Sequence, residues 1–182
     1  MKIQLTNVRL AFNDLFKPVP FKDGEPTYNA TFLIAKGSEL HKKVEAAAIA
    51  ALNAKFPSKG EAIRKQIEGN TNKCCIQDGD KQSYDGFEGN IAVRAKARVN
   101  QRPVVIDRDK SPLTQADGRI YSGCYVNASI EFFGYDNTGK GLSAQLRGVQ
   151  FLRDGDSFGG GSPASSDEFE SVEEGATADD LV

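Results

Sequence analysis

The feature that most limits the fold is a strict alternation of apolar and polar residues in two segments. In residues 91–99 every odd position is apolar, whereas three even positions carry Arg94, Lys96 and Arg98. In residues 124–132 every even position is apolar. A period of two is that of a β-strand with one buried face. The pattern therefore predicts strands over residues 91–106 and 121–133.

Helical periodicity is strong in one segment only. Apolar residues recur at every fourth position from residue 40 to residue 56, after Ser38 as the N-cap and before Pro57, which ends the helix. A shorter helix is predicted over about residues 59–68. The other apolar segments have the composition of strands. The alternation of the first strand slips near Asn7, which predicts a β-bulge.

These elements predict an α+β fold, mostly antiparallel β, in the form of an OB-like small Greek-key barrel with one main helix. A twisted open sheet with a helix across one face is the alternative, because the sequence does not determine the strand order. We expect the barrel domain to span residues 1–154. Residues 155–182 begin with a stretch rich in Gly, Ser and Pro and continue as an acidic segment, which predicts a flexible linker and a disordered acidic tail.

The net charge of −2 conceals a strong asymmetry along the chain. Residues 154–182 contain nine acidic and no basic residues, so residues 1–153 carry 16 acidic and 23 basic residues, a net charge of +7. A basic body joined to an acidic tail indicates a polyanionic partner for the body. The sequence has no run of 18 apolar residues and no signal-peptide pattern, so we expect no membrane association.

The strand predicted over residues 91–106 supplies the main candidate site. Arg94, Lys96, Arg98 and Arg102 lie at or near one stripe of its polar face, with side chains about 7 Å apart. Aligned like charges repel each other unless an anion neutralises them, so we expect nucleic-acid phosphates along this stripe. Two further cations are expected to assist, Lys81 and Arg147. The alternative interpretation is a solvated outer face without a ligand.

Aromatic residues near these cations are the candidates for stacking on bases. Tyr84 and Phe87 lie in a Gly- and Asp-rich stretch that should be an exposed loop, and Tyr121 and Tyr125 lie on the polar face of the strand predicted over residues 121–133. Stacking on such rings is worth about 1–3 kcal/mol per base, while Lys and Arg follow the phosphates of a single strand. We favour Tyr121 and Tyr125; the alternative is that these rings cover the edge of the core.

The last residues of the tail resemble a short anchor for a partner protein. Two acids are followed by two apolar residues, in the order Asp179, Asp180, Leu181 and Val182. The apolar pair is expected to fill a pocket while the acids meet basic residues at its rim. The tail can also fold back onto the cationic face, where it would compete with nucleic acid.

The sequence gives little support for catalysis. It contains no nucleophile-elbow, phosphate-loop or dinucleotide-binding motif. Three cysteines, two of them adjacent, and one histidine do not have the spacing of a zinc site. We therefore expect no catalytic residues, no metal and no cofactor. A Mg²⁺ site formed by Asp78, Asp80 and Asp85 is the one alternative, and it would make the chain a nuclease.

Several blocks of the sequence together resemble a known family. They are "MKIQLTNVRLAF", "DGDKQSYDGFEGN", "RPVVIDRDKSPL", "YSGCYVNASIEFFGYDN" and "KGLSAQLRGVQFLRDGDSFGG", followed by the acidic end. Over about residues 1–160 the chain is similar to phage-encoded single-stranded DNA-binding proteins with an OB fold, first catalogued as a domain of unknown function. The resemblance implies replication or recombination of phage DNA in the cytoplasm of a bacterial host, with the acidic C-terminus contacting replication enzymes. Better-known bacterial tails end in an aromatic residue, whereas this chain ends in Leu181 and Val182.

The sequence thus predicts a non-enzymatic protein that binds single-stranded DNA without sequence preference. Its tail is expected to recruit replication or recombination proteins and to compete with DNA. The main alternative is an interaction adaptor whose basic body binds an acidic protein, and the lesser one is the Mg²⁺-dependent nuclease. The sequence leaves open whether the ligand is DNA or RNA, and whether the protein is a monomer or a homodimer.

Overall fold

The structure is a computed structural model that describes residues 1–158 of the 182-residue chain. This part contains seven β-strands and two α-helices. The strands are β1 (Lys2–Val19), β2 (Thr27–Ala35), β3 (Ile76–Asp78), β4 (Asn90–Arg98), β5 (Val104–Ile106), β6 (Tyr125–Asp136) and β7 (Lys140–Arg153). The helices are α1 (Glu39–Lys55) and α2 (Gly60–Gln66). Neither helix has the length and apolarity needed to cross a membrane.

Five strands form a closed barrel in the order β1–β2–β4–β7–β6. β1 pairs with β2 and β6, β2 pairs with β4, and β6 pairs with β7, all in antiparallel fashion. The barrel closes where Lys96 of β4 pairs in parallel with Gln145 of β7. This closure confirms the predicted small Greek-key barrel of the OB type and excludes the open sheet.

Two short strands extend the seam between β4 and β7. β3 pairs with β4, and next to it the backbone N–H of Cys75 donates to the carbonyl of Leu142 in β7 at 3.1 Å. At the other end of the seam, β5 pairs in parallel with β7, with Val104 opposite Gly148. The seam is therefore bridged by one direct pair and supported by a short strand on each side.

The strand predicted over residues 91–106 is broken in the structure. β4 ends at Arg98, a 3₁₀ turn covers Val99–Gln101, and β5 starts at Val104. The reason is that the neighbouring strand β2 begins at Thr27, which pairs with Arg98, so β4 has no partner beyond that residue. Likewise β6 begins at Tyr125 and not at residue 121, because residues 121–124 form a turn in which the N–H of Cys124 donates to the carbonyl of Tyr121.

Two of the three register shifts in β1 decide which residues face outward. The first is at Asn7, which has a φ of 51° and lies in a register shift between Leu5 and Val8, so the predicted bulge is confirmed. The second shift lies between Leu10 and Asn13 and was not predicted. Leu10 and Ala11 are both buried there, and the ring of Phe12 is 49 % exposed. The second irregularity therefore turns an aromatic ring to the outer surface.

The core has one large and one small part. The large part fills the barrel and continues to α1, which buries Val44, Ala48, Ala51 and Leu52 and begins at Ser38, whose hydroxyl accepts from the N–H of His41. Burial of such apolar surface is worth about 25 cal/mol per Å². The small part is separate, and we call it the outer cluster; it consists of Ala11, Leu33, Phe87 and Ala92.

Candidate nucleic-acid interface

The predicted cations of β4 lie side by side on the outer surface of the barrel. Arg94, Lys96 and Arg98 are exposed, whereas Ala95 and Ala97 between them are buried, as the alternation predicts. We call these three residues the cationic row. Opposite it on β2, the register places small polar residues: Thr31 next to Arg94, Asn29 next to Lys96 and Thr27 next to Arg98. The row is therefore bordered by short side chains that do not cover it.

The cationic row keeps its positive charge within the described part of the chain. In residues 1–158 no carboxylate forms an ion pair with any of its three residues within 4.0 Å. The guanidinium of Arg94 donates to the backbone carbonyls of Thr71 and Cys74, at 2.5 and 3.1 Å. Carbonyl acceptors orient this side chain without neutralising it. Three aligned cations repel each other, so an anion that lies across them is favoured.

An open groove of about 220 Å³ lies at the Arg94 end of the row. We call it the aromatic groove; its lining consists of Phe12, Thr31, Gln82, Tyr84, Phe87, Ala92 and Arg94. The rings of Phe12 and Tyr84 meet edge to face, with centroids 5.0 Å apart and an interplanar angle of 84°. They are 49 % and 55 % exposed, so each leaves surface on which a planar base can stack.

Phe87 is buried, although the sequence predicted that it lies in an exposed loop. Its ring is 2 % exposed and packs in the outer cluster, with centroids 5.2 Å from Tyr84 and 5.9 Å from Phe12. The reason is that the loop between β3 and β4 folds down over the outer surface of β1, β2 and β4. Phe87 therefore supports the two exposed rings and is not available for stacking.

The other predicted cations differ in their surroundings. Arg102 is exposed but follows the 3₁₀ turn after β4, so it does not continue the row. Lys81 is exposed at the end of the 3₁₀ helix Gly79–Lys81, in the loop that carries Tyr84. Arg147 is exposed on β7 but forms an ion pair with Glu131 at 3.1 Å. Of these three cations, Arg147 is thus partly neutralised within the barrel itself.

The structure does not bring Tyr121 and Tyr125 to the cationic row. Both residues belong to β6 or to the turn before it, and going around the barrel through the groove side, the strands β1 and β2 lie between β6 and β4. The Tyr121 hydroxyl accepts from the N–H of Gly155 at 3.0 Å and lies 2.9 Å from the carboxylate of Asp154. Partial burial, together with that carboxylate, raises the pKa of Tyr121. This tyrosine lies in the turn before β6, where it packs against the core.

The ring of Tyr125 is occupied by the protein's own cations. The guanidinium of Arg153 lies 3.6 Å from the ring centroid and that of Arg9 lies 5.6 Å from it. Stacking of bases on Tyr121 and Tyr125 stays a prediction, and in this structure both residues are engaged in packing within the domain. Alternation in β6 correctly predicted that Tyr125 points outward, but it could not reveal which residues cover it.

Residues 154–158, which we call the C-terminal segment, lie against the barrel. Arg9 donates to the carbonyl of Asp156 at 2.6 Å, and the N–H of Phe158 donates to the carbonyl of Ser122 at 3.0 Å. The linker was predicted to start at residue 155, but residues 155–158 make defined contacts with the domain. The rest of the predicted linker and tail, including Asp179, Asp180, Leu181 and Val182, lies outside the described residues.

Sequence reasoning missed two exposed aromatic residues, one in the groove and one in the loop between β1 and β2. Phe12 was missed because the second irregularity of β1 hides it from any period-two pattern. Phe21 is 77 % exposed in the loop between β1 and β2, which ends at Thr27 opposite Arg98. Its signal was present in the sequence, because it lies in a Gly-, Asp- and Pro-rich stretch of the same kind as the loop of Tyr84.

The Asp-rich loop is built around a lysine and does not fit a catalytic metal. The ammonium of Lys36 bridges the carboxylates of Asp78 and Asp80. This hydrogen bond lowers the pKa of Asp78, and the N–H of Gly89 together with Lys36 lowers the pKa of Asp80. Within residues 1–158 no group of three or more His, Cys, Asp or Glu side chains is arranged to hold a metal ion. Two of the three carboxylates predicted for a Mg²⁺ site, Asp78 and Asp80, are thus bound to Lys36 within the domain.

The fold and this surface together define a class of protein. β2 and β4 are the second and third strands of the barrel, and that face of an OB barrel is the one that binds oligonucleotides. Uncompensated cations beside exposed rings are typical of single-stranded nucleic-acid binding. The family model described as "Enterobacter phage Enc34, ssDNA-binding protein" matches residues 1–182. The chain belongs to this family of phage single-stranded DNA-binding proteins.

Individual relatives agree with the family assignment. The chain is 50 % identical over 175 residues, 94 % of each chain, to "Putative protein p50" of Acyrthosiphon pisum secondary endosymbiont phage 1. It is also similar to the single-stranded DNA-binding protein from bacteriophage Enc34 in complex with ssDNA, with a TM-score of 0.66, 26 % identity and coverage of 87 % and 89 % of the two chains. Similarity to gp2.5 of bacteriophage T7, with a TM-score of 0.56, 16 % identity and coverage of 97 % and 99 %, shows the shared fold.

Proposed function

We propose that this chain binds single-stranded DNA without sequence preference across the outer face of β2 and β4. One observation carries the proposal: three exposed cations, free of carboxylate partners within residues 1–158, run directly into a groove with two exposed aromatic rings. The Enc34 protein, which has the same fold, was solved in complex with ssDNA, and this supports DNA as the ligand.

The two parts of the face have different tasks in this proposal. Phosphates lie along Arg94, Lys96 and Arg98, while bases turn toward the groove and stack on Phe12 and Tyr84. Every base has an aromatic face, and phosphates are the same at every position, so binding of this kind is tolerant of sequence. Thr31, which lines the groove next to Arg94, is small and leaves room for the sugar–phosphate chain.

The proposed role is non-enzymatic. It places the protein in replication or recombination of phage DNA in the cytoplasm of the bacterial host, as a covering for unpaired strands. Family membership supports this, since the family is one of binding proteins. Two of the three carboxylates of the nuclease alternative, Asp78 and Asp80, are engaged with Lys36.

The salt dependence of binding tests the proposal directly. We expect the affinity for a fluorescein-labelled oligo(dT) to fall steeply with salt, with a slope of log K against log [salt] of roughly −2 to −3.5, corresponding to about three to five phosphates at −0.7 each. Fluorescence anisotropy at several NaCl concentrations measures it. A slope near zero, or an equal affinity for duplex DNA of the same length, would contradict the proposed mode.

The acidic tail is proposed to recruit partner proteins and to compete with DNA. The last described residue, Phe158, packs against the outer cluster, which adjoins the aromatic groove, so the tail starts next to the proposed DNA path. A tether of this length gives an effective concentration on the order of millimolar. Deleting residues 162–182 is therefore expected to raise DNA affinity, most strongly at low salt. A truncated chain with equal or lower affinity would refute competition by the tail.

The interaction adaptor remains the second candidate, because a basic face can also bind an acidic protein. Chromatography on single-stranded DNA-cellulose at low salt separates the two functions. A DNA-binding protein is retained and elutes as salt rises, whereas an adaptor passes through.

A further inference from the structure

One apolar contact joins the loop of Tyr84 to the C-terminal segment. Phe158 packs against the outer cluster, whose member Phe87 also lines the aromatic groove. The guanidinium of Arg9 lies 4.1 Å from the centroid of the Phe158 ring and covers it from the other side. A residue far along the chain thus lies beneath the loop that presents Tyr84.

The fit between Phe158 and this loop is close. Gly86 has a φ of +78°, and a Cβ atom at this position would come within 2.4 Å of the Phe158 ring. Only glycine combines this backbone conformation with so short an approach. Phe158 itself is fixed by its N–H, which donates to the carbonyl of Ser122, and by Arg9, which binds the carbonyl of Asp156. The contact is therefore part of the folded domain.

The two ends of the loop have their own attachments, and its middle, where the N–H of Phe87 donates to the carbonyl of Tyr84, also packs through apolar rings. Near one end, the carboxylate of Asp80 accepts from the N–H of Gly89 at 2.8 Å. Near the other end, the side chain of Asn90 donates to the carbonyl of Gly86 at 2.9 Å. Tyr84 lies between these points and touches Phe12 and Phe87 through its ring. The position of Tyr84 thus depends on Phe87, and Phe87 packs in the same cluster as Phe158.

We propose that Phe158 is a positioning residue for DNA binding: by packing under the loop it keeps Tyr84 and Phe12 in the arrangement that forms the aromatic groove. The residue does not touch DNA in this mechanism. The inference rests on the proposed function, since it concerns the same face. It also means that the binding domain requires the C-terminal segment and does not end at residue 154.

The test uses the full chain with Phe158→Ala and two independent measurements. The first is the rate at which trypsin cuts after Lys81, followed by mass spectrometry of the fragments. We expect this rate to rise roughly tenfold, because the loop opens more often when its packing is removed. The second is affinity for oligo(dT), which we expect to fall roughly fivefold through weakened stacking. The salt slope is expected to stay unchanged, because the cationic row is intact.

Three further variants separate positioning from a general loss of structure. Phe158→Leu refills part of the space. Its cleavage rate and its DNA affinity are therefore expected to lie closer to the wild-type values than those of Phe158→Ala. Gly86→Ala forces the Phe158 ring out and is expected to reproduce Phe158→Ala. Phe133→Ala, which removes another partly exposed phenylalanine on the outer face of β6, is the matched control and should change neither measurement.

A double-mutant cycle with Tyr84→Ala gives the decisive result. If Phe158 acts through Tyr84 and Phe12, adding Phe158→Ala to Tyr84→Ala lowers affinity by less than Phe158→Ala does in the wild-type chain. Strictly additive losses, unchanged cleavage after Lys81 in the folded Phe158→Ala variant, or a gain in its affinity would each overturn the inference. The cleavage measurement needs no DNA, so it tests the positioning contact even if the wild-type chain fails to bind single strands.

Discussion

Two regions of this barrel combine aromatic rings with arginines, yet they differ in what remains accessible. In the region of Phe12 and Tyr84, the nearby guanidinium of Arg94 is bound to backbone carbonyls, and both rings keep about half of their surface exposed. In the region of Tyr125, Arg9 and Arg153 lie on the ring itself. The same residue types therefore line an open groove in one place and pack closely together in the other. Arg9, like Arg94, also donates to backbone carbonyls, so the difference lies in whether a guanidinium is placed over the ring.

The largest effect on DNA binding is expected from replacing the cationic row, which adjoins the region of Phe12 and Tyr84. Replacing Arg94, Lys96 and Arg98 by Ala should weaken binding to every single strand alike, roughly a hundredfold at low salt, and should make the salt slope shallower by about 2. Anisotropy titrations at several salt concentrations measure both quantities. The matched control replaces Lys42, Lys43 and Lys65, exposed cations of the helices, and changes the net charge equally. Equal losses in the two triple variants would mean that net charge, and not the row, drives binding.

An intermediate effect on DNA binding is expected from replacing either exposed ring of the aromatic groove. Tyr84→Ala and Phe12→Ala should each cost about 1–3 kcal/mol of binding free energy while the salt slope stays the same, since stacking involves no counterion release. Because the chain has no Trp, quenching of tyrosine fluorescence by oligo(dT) reports the stacking directly, and Tyr84→Ala should remove most of it. Quenching that persists in Tyr84→Ala would move the stacking site to another tyrosine.

The smallest effect on DNA binding is expected from replacing Tyr125, whose ring is covered by arginines. Tyr125→Ala should leave DNA affinity within about twofold, because the residue lies apart from the DNA path. It should instead lower the free energy of unfolding by about 1 kcal/mol, through loss of the contacts with Arg9 and Arg153. Urea denaturation and anisotropy on the same preparation give the two values. A Tyr125→Ala variant that binds as poorly as Tyr84→Ala would break the distinction between the regions.

The regular parts of the molecule were predictable from sequence because each depends on local pattern. Alternation in residues 91–98 located β4 and assigned Arg94, Lys96 and Arg98 to its outer face. The fourfold apolar spacing and Ser38 located α1. The slip near Asn7 indicated a true bulge. In each case the determining interactions lie within a few residues along the chain, or follow from one buried face.

The aromatic groove was only partly predictable because it depends on contacts between distant residues. Tyr84 was correctly placed in an exposed loop, but Phe87, three residues later, is buried by Ala11, Leu33 and Ala92 from three strands. Phe12 faces outward only because β1 has a second irregularity opposite β2. Tyr125 is covered by Arg153, its partner in the ladder between β6 and β7. No pattern in a single segment contains this information.

The seam of the barrel has a consequence for how this surface can change during evolution. Lys96 makes the one direct pair between β4 and β7 in residues 1–158, yet its side chain points to solvent in the middle of the cationic row. The backbone at this position therefore holds the barrel closed, while the exposed side chain takes no part in that pairing. Mutation can exchange the side chain without disturbing this pairing and so can change the proposed contact with DNA. Proline is the exception, since it cannot donate the hydrogen bond of a central strand and would open the barrel at its weakest joint.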